Sequence, residues 1–187
     1  MRRHGPWTIT RSHPIYEDPW MQVAQDEVIR PDGLAGTYST VILKAGVTVI
    51  ALDEQSNVHL TSEFHYAVGR TTLEGVSGGI EPGEDPLETA RRELREELGL
   101  VAAKWTPLGR CDPFTAAIRS PVQMYLAEEL TFTEVQPEGT ELIERVTVTL
   151  DEAITCVMDG RITHAPTCIA LLKILHALRL GSDEHRS

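Results

Sequence analysis

Apolar residues recur along this chain with two different periods, and the switch between them outlines its elements. Alternating or β-branched runs at residues 7–10 and 20–28 predict two N-terminal strands with a proline-containing turn between them. Pro31-Asp32-Gly33 marks another turn. Residues 37–43 and 46–52 are apolar and β-branched, which predicts strands, and after a polar turn at 53–57 residues 58–64 form a hairpin partner. Further strands are expected at 106–110, 122–130 and 145–150, with a polar loop at 133–144. The helical period takes over at 86–98, 151–158 and 167–180, and a glycine-rich loop, 75–83, opens the first of these helices. Strands first, then a helix, more strands and helices at the end predict an α+β fold, a mixed sheet covered by helices. No internal repeat or low-complexity segment interrupts this order.

The first helix has the clearest boundaries and the most pointed chemistry. Asp85 suits the N-cap, Pro86 stands where a missing N–H costs nothing, Glu88 completes a variant of the capping box, and Gly99 stops the helix. Leu87, Ala90, Leu94 and Leu98 fall on one stripe, which predicts the buried face. Glu93, Glu96 and Glu97 follow the spacing i, i+3, i+4, so their carboxylates crowd together. Like charges so placed repel by a few tenths of a kcal/mol per pair, roughly, on an exposed helix. A hard divalent cation such as Mg2+ would turn that repulsion into attraction. The alternating ladder of Glu88, Arg92 and Glu96 equally suits a solvated face. Gly78, Gly79 and Gly83, which let backbone approach a ligand or metal closely, favour the chemical reading.

Composition narrows the classes of partner. The 187 residues suffice for one well-buried domain with little left for a second. A net charge of -11 repels polyanions, which argues against a grip on long nucleic acid. Three cysteines, Cys111, Cys156 and Cys168, without a CxxC pair, argue against a disulfide framework or a zinc site and fit a reducing cytoplasm. No apolar stretch follows the first six residues, so no signal peptide is expected. The longest apolar run, 168–180, is broken by Lys173, His176 and Arg179 and is too short for a bilayer.

Gly78, Glu84, Arg92, Glu93, Leu94, Glu96, Glu97, Gly99 and Leu100 together resemble the Nudix box, with every defining position matched. From about residue 20 to 180 the chain also resembles the ADP-ribose pyrophosphatase branch, which includes nucleotide-sugar hydrolases. The resemblant stretches are Val28-Ile29-Arg30-Pro31-Asp32-Gly33, Val68-Gly69-Arg70, Leu73-Glu74, Pro113-Phe114, and Gly160-Arg161-Ile162 followed by Thr167. The resemblance implies an α/β/α sandwich with a metal site on a loop–helix–loop. It implies that Glu93, Glu96 and Glu97 hold Mg2+, or Mn2+ in its place, with a backbone carbonyl of Ser77 or Gly78 as a further ligand. Gly78 and Gly99 belong to the structural frame of the box, and Arg92 and Glu84 to its ion pair. It further implies an N-terminal antiparallel strand extension at 1–45 that is exchanged in a homodimer, a hydrolase domain at 46–181 and a disordered tail at 182–187.

The implied reaction is hydrolysis of a nucleoside diphosphate sugar, ADP-ribose to AMP and ribose 5-phosphate, without nucleic-acid or membrane partners. The general base is expected from the loop before the last strand, where Glu138 and Glu141 both fit and exposed loop acids are also common. Substrate contacts are expected from His65, Arg70 and Glu74, and Trp20 suits base stacking as well as a core or dimer contact. The branch usually carries Gln-Tyr-Arg where this chain has Glu63-Phe64-His65, and an acidic residue near Ser120-Pro121-Val122. Arg70 is placed to supply the missing charge. The alternatives are a sensor that binds a nucleotide sugar without cleaving it, against which stands the intact set of box glutamates, and a Nudix enzyme for another nucleoside diphosphate derivative.

Overall fold

The computed structural model describes residues 1–133 and 142–184. Strands β1 (Arg2–His4), β2 (Trp7–Glu17), β3 (Met21–Ile29) and β4 (Ala35–Leu43) form an antiparallel array, and the short β10 (Ile118–Arg119) pairs in parallel with β4. The second sheet holds β5 (Gly46–Leu52), β6 (Asn57–His65), β7 (Arg70–Glu74), β8 (Val76–Gly79), β9 (Leu100–Cys111), β11 (Val122–Phe132) and β12 (Glu144–Thr149). It is mixed, because β11 runs parallel to β5 and antiparallel to β9. The helices are α1 (Pro86–Leu98), α2 (Leu150–Met158) and α3 (Ala165–Glu184). Contacts divide the chain into one unit of Met1–Ala45 with Asp112–Pro121, which holds the first sheet, and a second with the remaining residues.

The expected α/β/α sandwich is present in the second unit, and the period-two alternation of β5 creates it. Val47, Val49 and Ala51 pack with Ala90, Leu94 and Leu98 of α1, while Ile50 and Leu52 pack with Leu150, Ala153 and Cys156 of α2 and Ala170, Leu171 and Ile174 of α3. On β11, Tyr125 and Ala127 join the α1 side and Met124 the other. Both faces of the sheet are thus covered by helix, and the central strand β5 carries no exposed side chain.

Several local expectations change. The run 75–83 was expected as loop, but Val76–Gly79 is strand, because β5 offers it an antiparallel partner with Thr48 opposite Ser77 and Val47 opposite Gly78. The proline-containing turn lies at Asp18-Pro19, where Asp18 Oδ1 accepts from the backbone N–H groups of Trp20 and Met21 at 2.8 and 2.7 Å. β2 runs further than expected, through Pro14, which sits at a register shift where a missing N–H is tolerated. Leu150 leaves the strand and opens α2, capped by Thr149. α3 continues to Glu184.

Gly75, between β7 and β8, has no room for a side chain. A Cβ there would stand 2.7 Å from the Val49 carbonyl oxygen and 2.8 Å from Ile50 Cδ1. Gly75→Ala therefore requires backbone movement, and urea unfolding should report a loss of about 1–3 kcal/mol.

Candidate active site

Helix α1 forms as its caps dictate. The Asp85 side chain accepts from the Leu87 N–H, Pro86 occupies the first turn, and Gly99 closes the helix in the left-handed region at φ 60° with its N–H on Arg95 and Leu94 carbonyls. The reciprocal arm expected of Glu88 is turned outward to Arg91. Ala90, Leu94 and Leu98 are buried as expected; Leu87 is only half-buried, and Thr89 is the fourth residue of the buried face.

Arg92 organises the polar face. Its Nε donates to Glu84 Oε1 at 3.2 Å and its Nη2 to Glu84 Oε2 at 3.4 Å, while one Nη1 lies 2.9 Å from both Glu93 Oε1 and Glu96 Oε2. Glu84 Oε2 also accepts from the Glu81 backbone N–H at 3.1 Å, which closes the loop ahead of the helix. The Arg92 guanidinium holds the Glu84 carboxyl well below the usual carboxylate range, at about 2, and the same contacts raise Arg92.

The box glutamates lie half-buried on α1, and Gly78 of β8 faces one of them. A Cβ at Gly78 would fall on the Glu93 carboxyl group, so the absence of a side chain is what lets that carboxylate rest against the strand. Ser77 turns its hydroxyl away, donating to the Gly75 carbonyl at 2.9 Å and lying 3.1 Å from Thr48 Oγ1. Among the described residues no three His, Cys, Asp or Glu side chains converge as a ready cluster of metal ligands. Glu93 and Glu96 instead share the cationic Arg92 nitrogen. Half-buried carboxylates beside a bare glycine backbone nevertheless form an all-oxygen donor set, the kind that suits Mg2+ or Mn2+.

Of the other expected residues, His65, Arg70 and Glu74 fall in a polar group of their own. His65 Nε2 lies 3.3 Å from Glu74 Oε1, and Thr72 donates to the same oxygen at 2.6 Å. Arg70 Nη2 donates to Thr163 at 2.7 Å. Trp20 belongs to the first unit and is 69% exposed. Glu138 and Glu141 lie outside the described residues. His164, Thr163 and Thr167 join this polar group from the start of α3, and no sequence signal linked them to residues some 90 positions earlier.

The NUDIX domain family matches residues 42–167, and the nucleoside diphosphate sugar hydrolase N-terminal domain matches residues 7–41. This chain belongs to the Nudix family. It is 32% identical over 175 residues to an ADP-ribose pyrophosphatase of Bacillus subtilis (strain 168), covering 88% of this chain and 91% of that protein. An ADP-ribose pyrophosphatase of Mycobacterium tuberculosis (strain ATCC 25618 / H37Rv) is 29% identical, over 100% of this chain and 90% of its own. The crystal structure of an ADP compounds hydrolase shares the fold, with a TM-score of 0.82 at 20% identity over 96% and 97% of the two chains. The chain is thus a Nudix pyrophosphohydrolase of the ADP-ribose pyrophosphatase type.

Two measurements test this geometry. The φ of Gly78 suits any residue, so Gly78→Ala should keep stability within about 1 kcal/mol by urea unfolding. It should nonetheless weaken divalent-metal affinity about 10- to 100-fold by isothermal titration, because the new methyl displaces Glu93. The lowered Glu84 carboxyl contributes stability that is full above its unfolded value of 4.5 and lost as pH falls toward about 2. The stability difference between wild type and Glu84→Gln should therefore shrink to nothing across that window in pH-resolved unfolding.

Proposed function

We propose that this Nudix enzyme hydrolyses the pyrophosphate of a nucleoside diphosphate sugar, with ADP-ribose giving AMP and ribose 5-phosphate. The observation that carries this reading is the strand–helix corner in which Gly78 makes room for Glu93 while Arg92 ties Glu84 to the helix. Its support from relatives is the match to ADP-ribose pyrophosphatases along nearly the whole chain.

Glu93, Glu96 and Glu97, with the backbone carbonyl of Ser77, would hold Mg2+, or Mn2+ in its place. When bound, such a cation neutralises diphosphate oxygens and makes a bound water more acidic. The protein's own groups do the rest. Glu84 and Arg92 keep the loop and helix in one geometry before substrate arrives, which is the preorganisation that electrostatic catalysis needs. Water attacks one phosphorus, the bridging P–O bond breaks toward the other phosphate, and a proton of the water passes to Glu138 or Glu141. Arg70 spends one donor on Thr163 and has others for a phosphate oxygen, while His65 and Glu74 line the approach.

The strand extension of residues 1–45 serves as the exchange segment of a homodimer, and the protein works in the cytoplasm on a small-molecule substrate. Its three cysteines are free thiols, and among the described residues no helix is long and apolar enough to cross a membrane.

The test is phosphate release, through a coupled phosphatase with Mg2+, from ADP-ribose, UDP-glucose, GDP-mannose, NADH and dNTPs. Turnover of ADP-ribose above the others, with Glu97→Gln lowering kcat about 100-fold at an unchanged melting temperature, is the expected result. Tight binding of a nucleotide sugar without turnover would replace this reading with the sensor. Wild-type rates in Glu97→Gln would remove that residue from the site.

A further inference from the structure

The strand that carries Gly78 is held by a polar clasp in which two members, Thr167 and His164, have no part in the pyrophosphatase reading. Thr167, wholly buried in the first turn of α3, accepts the Gly75 backbone N–H on its Oγ1 at 2.9 Å. His164 places its Nδ1 2.9 Å from the same Oγ1 and 3.1 Å from Glu74 Oε2. The other Glu74 oxygen takes Thr72 and faces His65. A carboxylate only accepts, so His164 must carry its proton on Nδ1, shared between Glu74 and Thr167. A hydroxyl has lone pairs for both the imidazole and the Gly75 N–H, so Thr167 closes the clasp on side chain and backbone together.

Gly75 is the point where this matters. It has no side chain to lock it, and a Cβ would strike the Val49 carbonyl, so its placement depends on hydrogen bonds. Three residues later Gly78 meets the Glu93 carboxylate. β8 is four residues long and pairs only with β5 among the described strands, so it has few other restraints. Hydrogen bonds shielded from solvent in this way fix one geometry more sharply than apolar packing does.

We propose that Thr167 and His164 are positioning residues, which fix Gly75 and through it the register of Val76–Gly79 against Glu93. They do not touch substrate. They decide how well the glycine strand presents its backbone at the site, and so affect kcat with little effect on KM. The inference rests on the hydrolase reading for its kinetic consequence but not for its structural one.

The experiment pairs Thr167→Val with Thr167→Ser, and His164→Ala with His164→Asn, whose amide N–H stands near the position of Nδ1–H. Hydrogen exchange, resolved by NMR, is read at residues 75–79, in β5 and in α1, beside kcat and KM for ADP-ribose. The expected result is exchange at 75–79 rising at least about tenfold in Thr167→Val and His164→Ala, with β5 and α1 unchanged. kcat should fall about tenfold with KM within about twofold, and Ser and Asn should restore both. Unchanged exchange at 75–79, a rise shared equally by β5 and α1, or failure of Ser and Asn to restore would overturn the proposal. If Thr167→Val does not fold, the His164 pair decides by the same criteria. If wild type turns over no substrate, the hydrolase reading fails, and the exchange data alone decide the clasp.

Discussion

One guanidinium holds three carboxylates, and the geometry of the active corner depends on it. Arg92 reaches back eight residues to Glu84 and shares a single nitrogen between Glu93 and Glu96. Without that charge, acids three and four residues apart would push one another off the same face of α1. Without Glu84, the loop between β8 and the helix would lose the carboxylate that accepts the Glu81 N–H. The pair is partly shielded from solvent, so removing Arg92 leaves the Glu84 charge poorly compensated. The downward shift of Glu84 and the upward shift of Arg92 are two views of that one contact.

The sandwich explains why the corner is rigid enough for such a pair to form. β5 sends Val47, Val49 and Ala51 into the α1 layer and Ile50 and Leu52 into the α2–α3 layer. β8 lies beside it and is addressed from both layers in turn. Gly78 meets Glu93 of α1, whereas Gly75 just before the strand meets Thr167 of α3. Two glycines three residues apart thus serve opposite faces of one sheet. At Gly78 the missing side chain admits a carboxylate, and at Gly75 it admits the neighbouring strand's backbone.

The box acids of this Nudix chain stand close together on α1, which costs electrostatic energy. Arg92 offsets that cost. It holds the carboxylates as a group while leaving them beside the glycine strand, half-buried and rich in oxygen donors.

The sequence alone determined α1 to the residue, because its signals are local. The Asp85 cap, Pro86 and Gly99 act within one helical turn of the atoms they satisfy, and the 3.6 period places Ala90, Leu94 and Leu98 inward. The box pattern made the family legible, and through that resemblance the layered fold. Tertiary structure decided what depends on distant partners. Residues 76–79 look like loop until β5, some thirty positions earlier, supplies hydrogen bonds to them. Leu87 was expected inward and Thr89 was not, because a period does not tell which edge of the helix its neighbours cover. The clasp joins Glu74 and Gly75 to His164 and Thr167 across some ninety residues. A histidine and a threonine of that kind carry no mark of their partners in one sequence; only the closing of α3 onto the sheet brings them together.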